Sequence, residues 1–92
     1  MIAKNTYAIL IGRKIKKLRQ EAGYKLFPFA KLIGCKSEQQ LYRYERGINK
    51  IDIDTFISAL KILNVDVKEF FDQLDEEFVN ELTDSRVSLY SC

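Results

Sequence analysis

The chain has 92 residues, 47% of them hydrophobic and 30% charged, with a formal net charge of +2. One small domain of this size buries roughly 60–65% of its unfolded surface. No apolar run reaches the ~18 residues of a membrane span, and Ile9-Leu10-Ile11, beside a basic run, is too short for a signal peptide.

Histidine is absent, and Cys35 and Cys92 make neither a metal cluster nor a disulfide framework. Cys35 reads as a small buried apolar residue, Cys92 as an exposed terminal one, and a reducing cytoplasm as the setting. The net charge hides an asymmetry. Residues 1–50 hold 12 Lys/Arg against 3 Glu, a balance of +9, and residues 51–92 hold 3 Lys/Arg against 10 Asp/Glu, a balance of −7. A basic half of this kind is an electrostatic footprint for a polyanion, although a charge run is most often only a solvated face.

In chain order, residues 1–5 read as a polar arm. From about Thr6, Ala8, Ile11, Ile15, Leu18 and Ala22 recur at helical spacing, with Lys14, Lys16 and Lys17 on the wet side and Gly23 as the stop. A second helix runs from about Leu26 to Ile33. Pro28 lies in its first turn, where a missing N–H costs nothing, and Phe29, Ala30 and Ile33 form its inner face.

After the polar turn Gly34-Cys35-Lys36 comes the best-capped segment. Ser37 is an N-cap with Gln40 three residues on, a capping box, and Gly47 can take the left-handed conformation that closes a helix. Leu41 and Tyr44 face inward. Glu38, Gln39, Tyr42, Arg43 and Arg46 face out. After the loop Ile48-Asn49-Lys50-Ile51, Asp52 caps a fourth helix with Ile53, Phe56, Ile57, Leu60 and Leu63 inward. A fifth opens on the box Asp66/Glu69 and the hydrophobic staple Val65/Phe70, and continues past Leu74 to about Leu82. Val87-Ser88-Leu89-Tyr90 alternates like a short strand. Five helices with short connections define an all-α domain at residues 6–74, followed by an acidic extension, 75–92.

A short capped helix showing Gln and Arg suits a DNA major groove, since Gln pairs two-pronged with adenine and Arg with guanine. Glu38 can accept from a cytosine amino group or repel phosphate at wrong sites. Tyr42 can meet backbone sugar or a thymine methyl, or only shield the helix. Lys25, Lys36, Arg46, Asn49 and Lys50 are positioned to set register on phosphates. Phe70, Phe71, Leu74, Phe78, Val79 and Leu82 exceed what one short helix buries, so they read as a dimer seam, against the plainer reading of core plus a capping helix.

The segments Ile11-Gly-Arg-Lys-Ile-Lys-Lys-Leu-Arg19, Phe29-Ala30, Tyr44-Glu-Arg-Gly47 and Asn64-Val-Asp-Val-Lys-Glu-Phe-Phe71 together resemble the helix-turn-helix DNA-binding domain of the lambda repressor/Cro type, the XRE family. The resemblance covers about residues 8–74. The run from Glu38 to Ile51 is also similar to small enterobacterial regulators of fimbrial operons and motility. The resemblance implies a five-helix lambda-repressor-like fold and a homodimer that regulates transcription from a palindromic operator. It places base contacts at Glu38, Gln39, Gln40 and Arg43, keeps the family's hydroxyl cap at Ser37, and puts phosphate contacts on the loop after that helix, at Asn49 and Lys50. With Lys25, Lys36, Ser37, Tyr42 and Arg46, read from the residues themselves, these make up the expected phosphate set. The resemblance also implies an ion pair between Arg19 and Glu45.

Three features depart from the pattern. Lys25 and Leu26 stand where a polar cap and Gln usually hold a phosphate. The turn 34–37 is one residue longer than the common form. Leu26 and Phe27 would be exposed, to be covered by the N-terminal arm or by a protein partner. No enzyme is expected, because there is no His, phosphate-binding Gly-rich loop, nucleophile elbow or metal-spaced ligand set, and no cofactor is called for. The rival readings are an antitoxin that represses its own operon and a protein-interaction module that has lost DNA binding.

Overall fold

The computed structural model describes residues 6–85, with side chains described as far as residue 76. Five helices follow in order: α1 (Thr6–Glu21), α2 (Leu26–Leu32), α3 (Glu38–Glu45), α4 (Ile53–Leu63) and α5 (Val67–Ser85). Among the described residues there is no strand, so the all-α, five-helix expectation holds. The arm at 1–5, the alternating tail at 87–90 and the side chains of Phe78, Val79 and Leu82 lie outside the described residues. The backbone of α5 runs unbroken through position 74, the expected boundary between domain and extension.

Local chemistry sets the helix ends. Asp52 accepts from the Thr55 N–H at 3.0 Å and Asp66 from the Glu69 N–H at 3.1 Å, each satisfying a donor that the first turn leaves free. Val65 packs against the core that contains Phe70, as a staple would. Asn64, at φ 58°, ends α4 in the left-handed region, which Asn tolerates better than most residues.

The core is built from Leu10 and Ile15 of α1, Phe29 and Ala30 of α2, Leu41 of α3, Phe56, Ala59 and Leu60 of α4, and Phe70 and Leu74 of α5, joined by Ile33. Phe56 meets Phe70 edge-on at 5.2 Å between ring centres. Burying each large side chain contributes about 1.5–3 kcal/mol, and this contact joins α4 to α5.

Four sequence expectations are corrected. The buried face of α1 is Leu10, Gly12, Lys14, Ile15 and Arg19, while Ile11 and Leu18 are half-buried and Ala22 is exposed. The reason is that α1 is the central helix, packed on α3 along one flank and on α4 and α5 along another, so a single-face periodicity misplaces its inward side. Lys14, expected in water, is buried, with its ammonium 5.9 Å from the Phe70 ring centre. The aliphatic stem fills core space while the charge meets an aromatic face. Ile53 is 72% exposed, because it occupies the first position of α4, ahead of the turn that reaches the core. Leu26 is half-buried against the core, whereas Phe27 is 53% exposed with the Lys31 ammonium over its ring.

The dimer seam is also revised. Phe70 and Leu74 have no exposed surface, because the chain's own core encloses both. Phe71 is the seam residue among the described side chains that reaches solvent, at 39% exposure.

Candidate nucleic-acid interface

The turn into α3 is built around Ser37, whose backbone is extended and whose Oγ accepts from the Gln40 N–H at 3.1 Å. That is the forward half of a capping box. The return half is displaced by one residue: Gln40 Oε1 accepts from the N–H of Lys36 at 2.8 Å. A capping box would send it to the N–H of Ser37. The Gln40 amide thus satisfies the Lys36 donor in the turn. That bond occupies one of the two lone pairs of the Gln40 oxygen, while its NH₂ group makes no bond to the turn. Adenine recognition by Gln needs an acceptor and a donor together, so Gln40 is more constrained than Gln39 for a two-pronged contact.

The other end of α3 closes on Gly47. Its φ of +73° is the left-handed region, and the Ile48 N–H bonds to the Arg43 carbonyl at 3.0 Å while the Gly47 N–H bonds to that of Tyr44 at 3.1 Å. This is the six-to-one and five-to-two pattern of a Schellman cap. A side chain at Gly47 would be strained, and its Cβ would also lie 2.5 Å from Ile9 Cγ1.

Between these caps the helix divides cleanly. Leu41, Tyr44 and Glu45 are buried. Glu38, Gln39, Tyr42, Arg43 and Arg46 are exposed, and Gln40 is half-exposed. Arg46 lies over the Tyr42 ring, 5.1 Å from its centre, which orders both side chains at the end of the helix.

Three interactions hold the buried side. Arg19 Nε donates to Glu45 Oε2 at 2.7 Å and Nη2 to Oε1 at 3.2 Å, while Nη1 donates to the Tyr24 carbonyl at 2.8 Å. One guanidinium thus fastens α1 to α3 and to the turn before α2, in the forked geometry that suits arginine. Tyr44 Oη donates to Asp52 Oδ1 at 3.1 Å, joining α3 to the cap of α4. Burial raises the pKa of that phenol, with the Asp52 hydrogen bond adding to it. The bonds from Thr55, then that from Tyr44, hold the Asp52 carboxyl below its ordinary value. Third, the backbone of α1 at Gly12 touches the backbone of α3. A Cβ there would collide with the Tyr44 carbonyl oxygen and come within 2.8 Å of that of Glu45.

Lys36, Asn49 and Lys50 are exposed on the segments flanking α3, and Lys25 is exposed at the start of α2. Lys25 is the N-cap residue of α2 and makes no side-chain cap bond. Cys35, in the turn, is half-buried; burial, then the Asp52 and Glu45 carboxylates, push its thiol up to about 11. It is therefore a packed neutral thiol, not a nucleophile. Among the described residues no group of three His, Cys, Asp or Glu could hold a metal, and no helix is long and apolar enough to cross a membrane.

Sequence reasoning missed the Tyr44–Asp52 bond and the close approach at Gly12. A glycine inside a helical pattern was the available signal for the second.

The arrangement is an exposed, doubly capped helix on a rigid three-helix support with cations around it. A family model described as helix-turn-helix matches residues 15–70. A protein named an uncharacterized HTH-type transcriptional regulator from Rickettsia conorii is 33% identical over 66 residues, covering 72% of this chain and 52% of that protein. A counterpart of the same name from Rickettsia prowazekii is 33% identical over 66 residues, covering 72% of this chain and 50% of the relative. The chain thus spans about half the length of the curated relatives it matches. With the five-helix order and the match over most of its length, this chain belongs to the helix-turn-helix family, in its lambda repressor/Cro (XRE) type.

Proposed function

We propose that the chain is a sequence-specific DNA-binding transcriptional regulator that acts as a homodimer, with α3 in the major groove. The observation that carries this reading is the division of α3. One side is fixed by Leu41, Tyr44 and the Arg19–Glu45 pair, and the other offers Glu38, Gln39, Tyr42 and Arg43 to solvent.

In this reading Gln39 pairs two-pronged with adenine, Arg43 forks onto guanine, and Glu38 accepts from cytosine or rejects wrong sites. Gln40 adds a base-edge contact through its NH₂ group, its oxygen being shared with the Lys36 N–H. Lys25, Lys36, Ser37, Tyr42, Arg46, Asn49 and Lys50 hold the backbone and set register without reading sequence. Two copies place their reading helices about one helical turn apart, roughly 34 Å, on a palindromic site. Such a protein works in the cytoplasm, where the DNA is. The names of the Rickettsia relatives support the regulatory part of the proposal.

The test is selection of bound sites from a random duplex pool. The expected product is a palindrome of two half-sites. Enrichment of no motif, with affinity equal to that for bulk DNA, would reduce the protein to a nonspecific binder.

A further inference from the structure

Ile9, Arg13 and Lys16 lie one helical turn apart on α1, and this face meets the C-terminal end of α3. Between them is an open depression of about 210 Å³, lined by these three residues with Glu45 and Arg46. Glu45 brings a carboxylate to the wall, but Arg19 engages both of its oxygens, at 2.7 and 3.2 Å. Its charge is therefore already matched by a fourth cation behind the wall. Arg46 is held at the rim by the Tyr42 ring, 5.1 Å away.

The basic groups that line the depression are Arg13, Lys16 and Arg46. Beside them α1 carries the exposed Lys17, and Glu21, at its end, is the helix's single acid. Among the described residues Ile9 is the one apolar side chain on the wall, so an apolar ligand has little to meet there. The carbonyl end of α3 by itself disfavours an anion, so the three side-chain cations must outweigh it. Arg43 and Tyr42, one turn earlier on α3, are exposed. A strand of polyanion running along α3 past them reaches the depression.

We propose that Arg13, Lys16 and Arg46 form a phosphate site that grips the DNA backbone beyond the C-terminal end of α3. The proposal rests on the DNA-binding reading above and extends it from α3 and its flanking turns to α1. The reading helix is then gripped at both ends, by Lys36 just before its start and by the α1 site near its finish.

The experiment uses the full chain and a random-sequence duplex, with affinity measured across a salt series. Arg13→Ala/Lys16→Ala should flatten the log–log salt slope by about 0.9 for each phosphate no longer neutralised, and Arg13→Lys/Lys16→Arg should keep the parent slope. If the double alanine variant melts early, Lys16→Gln alone carries the test, with a shift of about 0.9. A parent slope in these neutralised variants overturns the proposal. So does saturable binding of inorganic phosphate that the double variant loses while its DNA slope stays at the parent value, since that marks a free-anion site. The two readings fail differently. A parent chain without affinity for duplex brings down both, whereas a parent that binds and a variant of equal slope brings down only the α1 site.

Discussion

Gly12 of α1 and Tyr44 of α3 meet backbone to backbone, so closely that a methyl group on Gly12 would overlap the Tyr44 carbonyl oxygen. In an isolated helix, Gly→Ala is favourable by about 1 kcal/mol. Here the obstacle is main chain, which cannot swing aside as a side-chain tip can, and overpacking of this kind costs roughly 1–3 kcal/mol. Gly12→Ala is therefore expected to lower the urea midpoint. It should also weaken DNA binding further than the reduced stability explains, because α3 is pushed off its support. A raised midpoint would show that the two helices do not cross at this residue.

The Arg19–Glu45 pair gives a second prediction. Both side chains are almost fully enclosed, at 9% and 3% exposure. Removing one partner strands a buried charge, so Glu45→Ala is expected to cost roughly 3–5 kcal/mol. Replacing both, as Arg19→Met/Glu45→Leu, should recover most of that loss, because the desolvation of two charges is removed together. Denaturant titration of the three proteins decides. A double variant as unstable as Glu45→Ala would mean that the hydrogen bond of Arg19 to Tyr24, not the charge pair, is what matters.

Much of this architecture is legible in the sequence, and the reason is locality. Ser37, Asp52 and Asp66 cap their helices through donors three residues away, and Gly47 closes α3 through its own backbone. The inner faces of α2 and α3 are legible because each packs mainly on one side. The face of α1 is not, since α3 lies on one flank and α4 and α5 on the other; Lys14 and Gly12 are buried by neighbours far along the chain. The capping box at Gln40 is recognisable, but its partner is Lys36, a shift that depends on the path of the turn. Phe70 and Leu74 look spare when the apolar residues of α5 are read along the chain, and are core in space.

Gln39 and Gln40 are adjacent and chemically identical, yet they are expected to behave differently. Gln39→Ala and Arg43→Ala should each cost about 1–3 kcal/mol on the best site and relax preference at one base position. Gln40→Ala should relax base preference less than Gln39→Ala does, because its oxygen is already shared with the Lys36 N–H. Binding of each variant to a single-substitution panel of operators separates the cases. An equal loss of adenine preference in Gln40→Ala would mean that its amide turns away from Lys36 on DNA.

Cys35 makes an alkaline prediction. Burial holds its thiol protonated up to about 11 in the folded chain, whereas an exposed thiol titrates at about 8.5. Between those values the unfolded chain loses the proton first. The stabilising contribution is therefore complete below the lower value and is lost as pH rises towards the upper one. The Tyr44 phenol, also raised, adds to the fall at high pH, so the comparison must be with Cys35→Ala. The parent's melting temperature should drop more steeply than the variant's over this window, by a small amount since the side chain is only half-buried. In a Cys92→Ser background, iodoacetamide should also alkylate Cys35 more slowly than a small free thiol at the same pH.

The dimer prediction falls on α5. Its inner side, Phe70 and Leu74, is spent on the core, while Val67 and Phe71, four residues apart, remain 41% and 39% exposed. The same helix continues to Ser85, carrying Phe78, Val79 and Leu82 in its sequence. Val67 and Phe71 form an exposed apolar stripe, and position 78 is seven residues, two helical turns, beyond 71. A self-complementary contact would set this stripe against its copy about a two-fold axis. Truncation after Glu76, two residues past the last described core side chain, should then leave a folded monomer. Operator affinity should drop sharply, because the second half-site no longer adds its effective concentration. Phe71→Glu in the full chain should do the same without shortening the helix. Sedimentation reads both. A tight dimer in each would move the contact to another surface, with the exposed Ile53 of α4 the next to substitute.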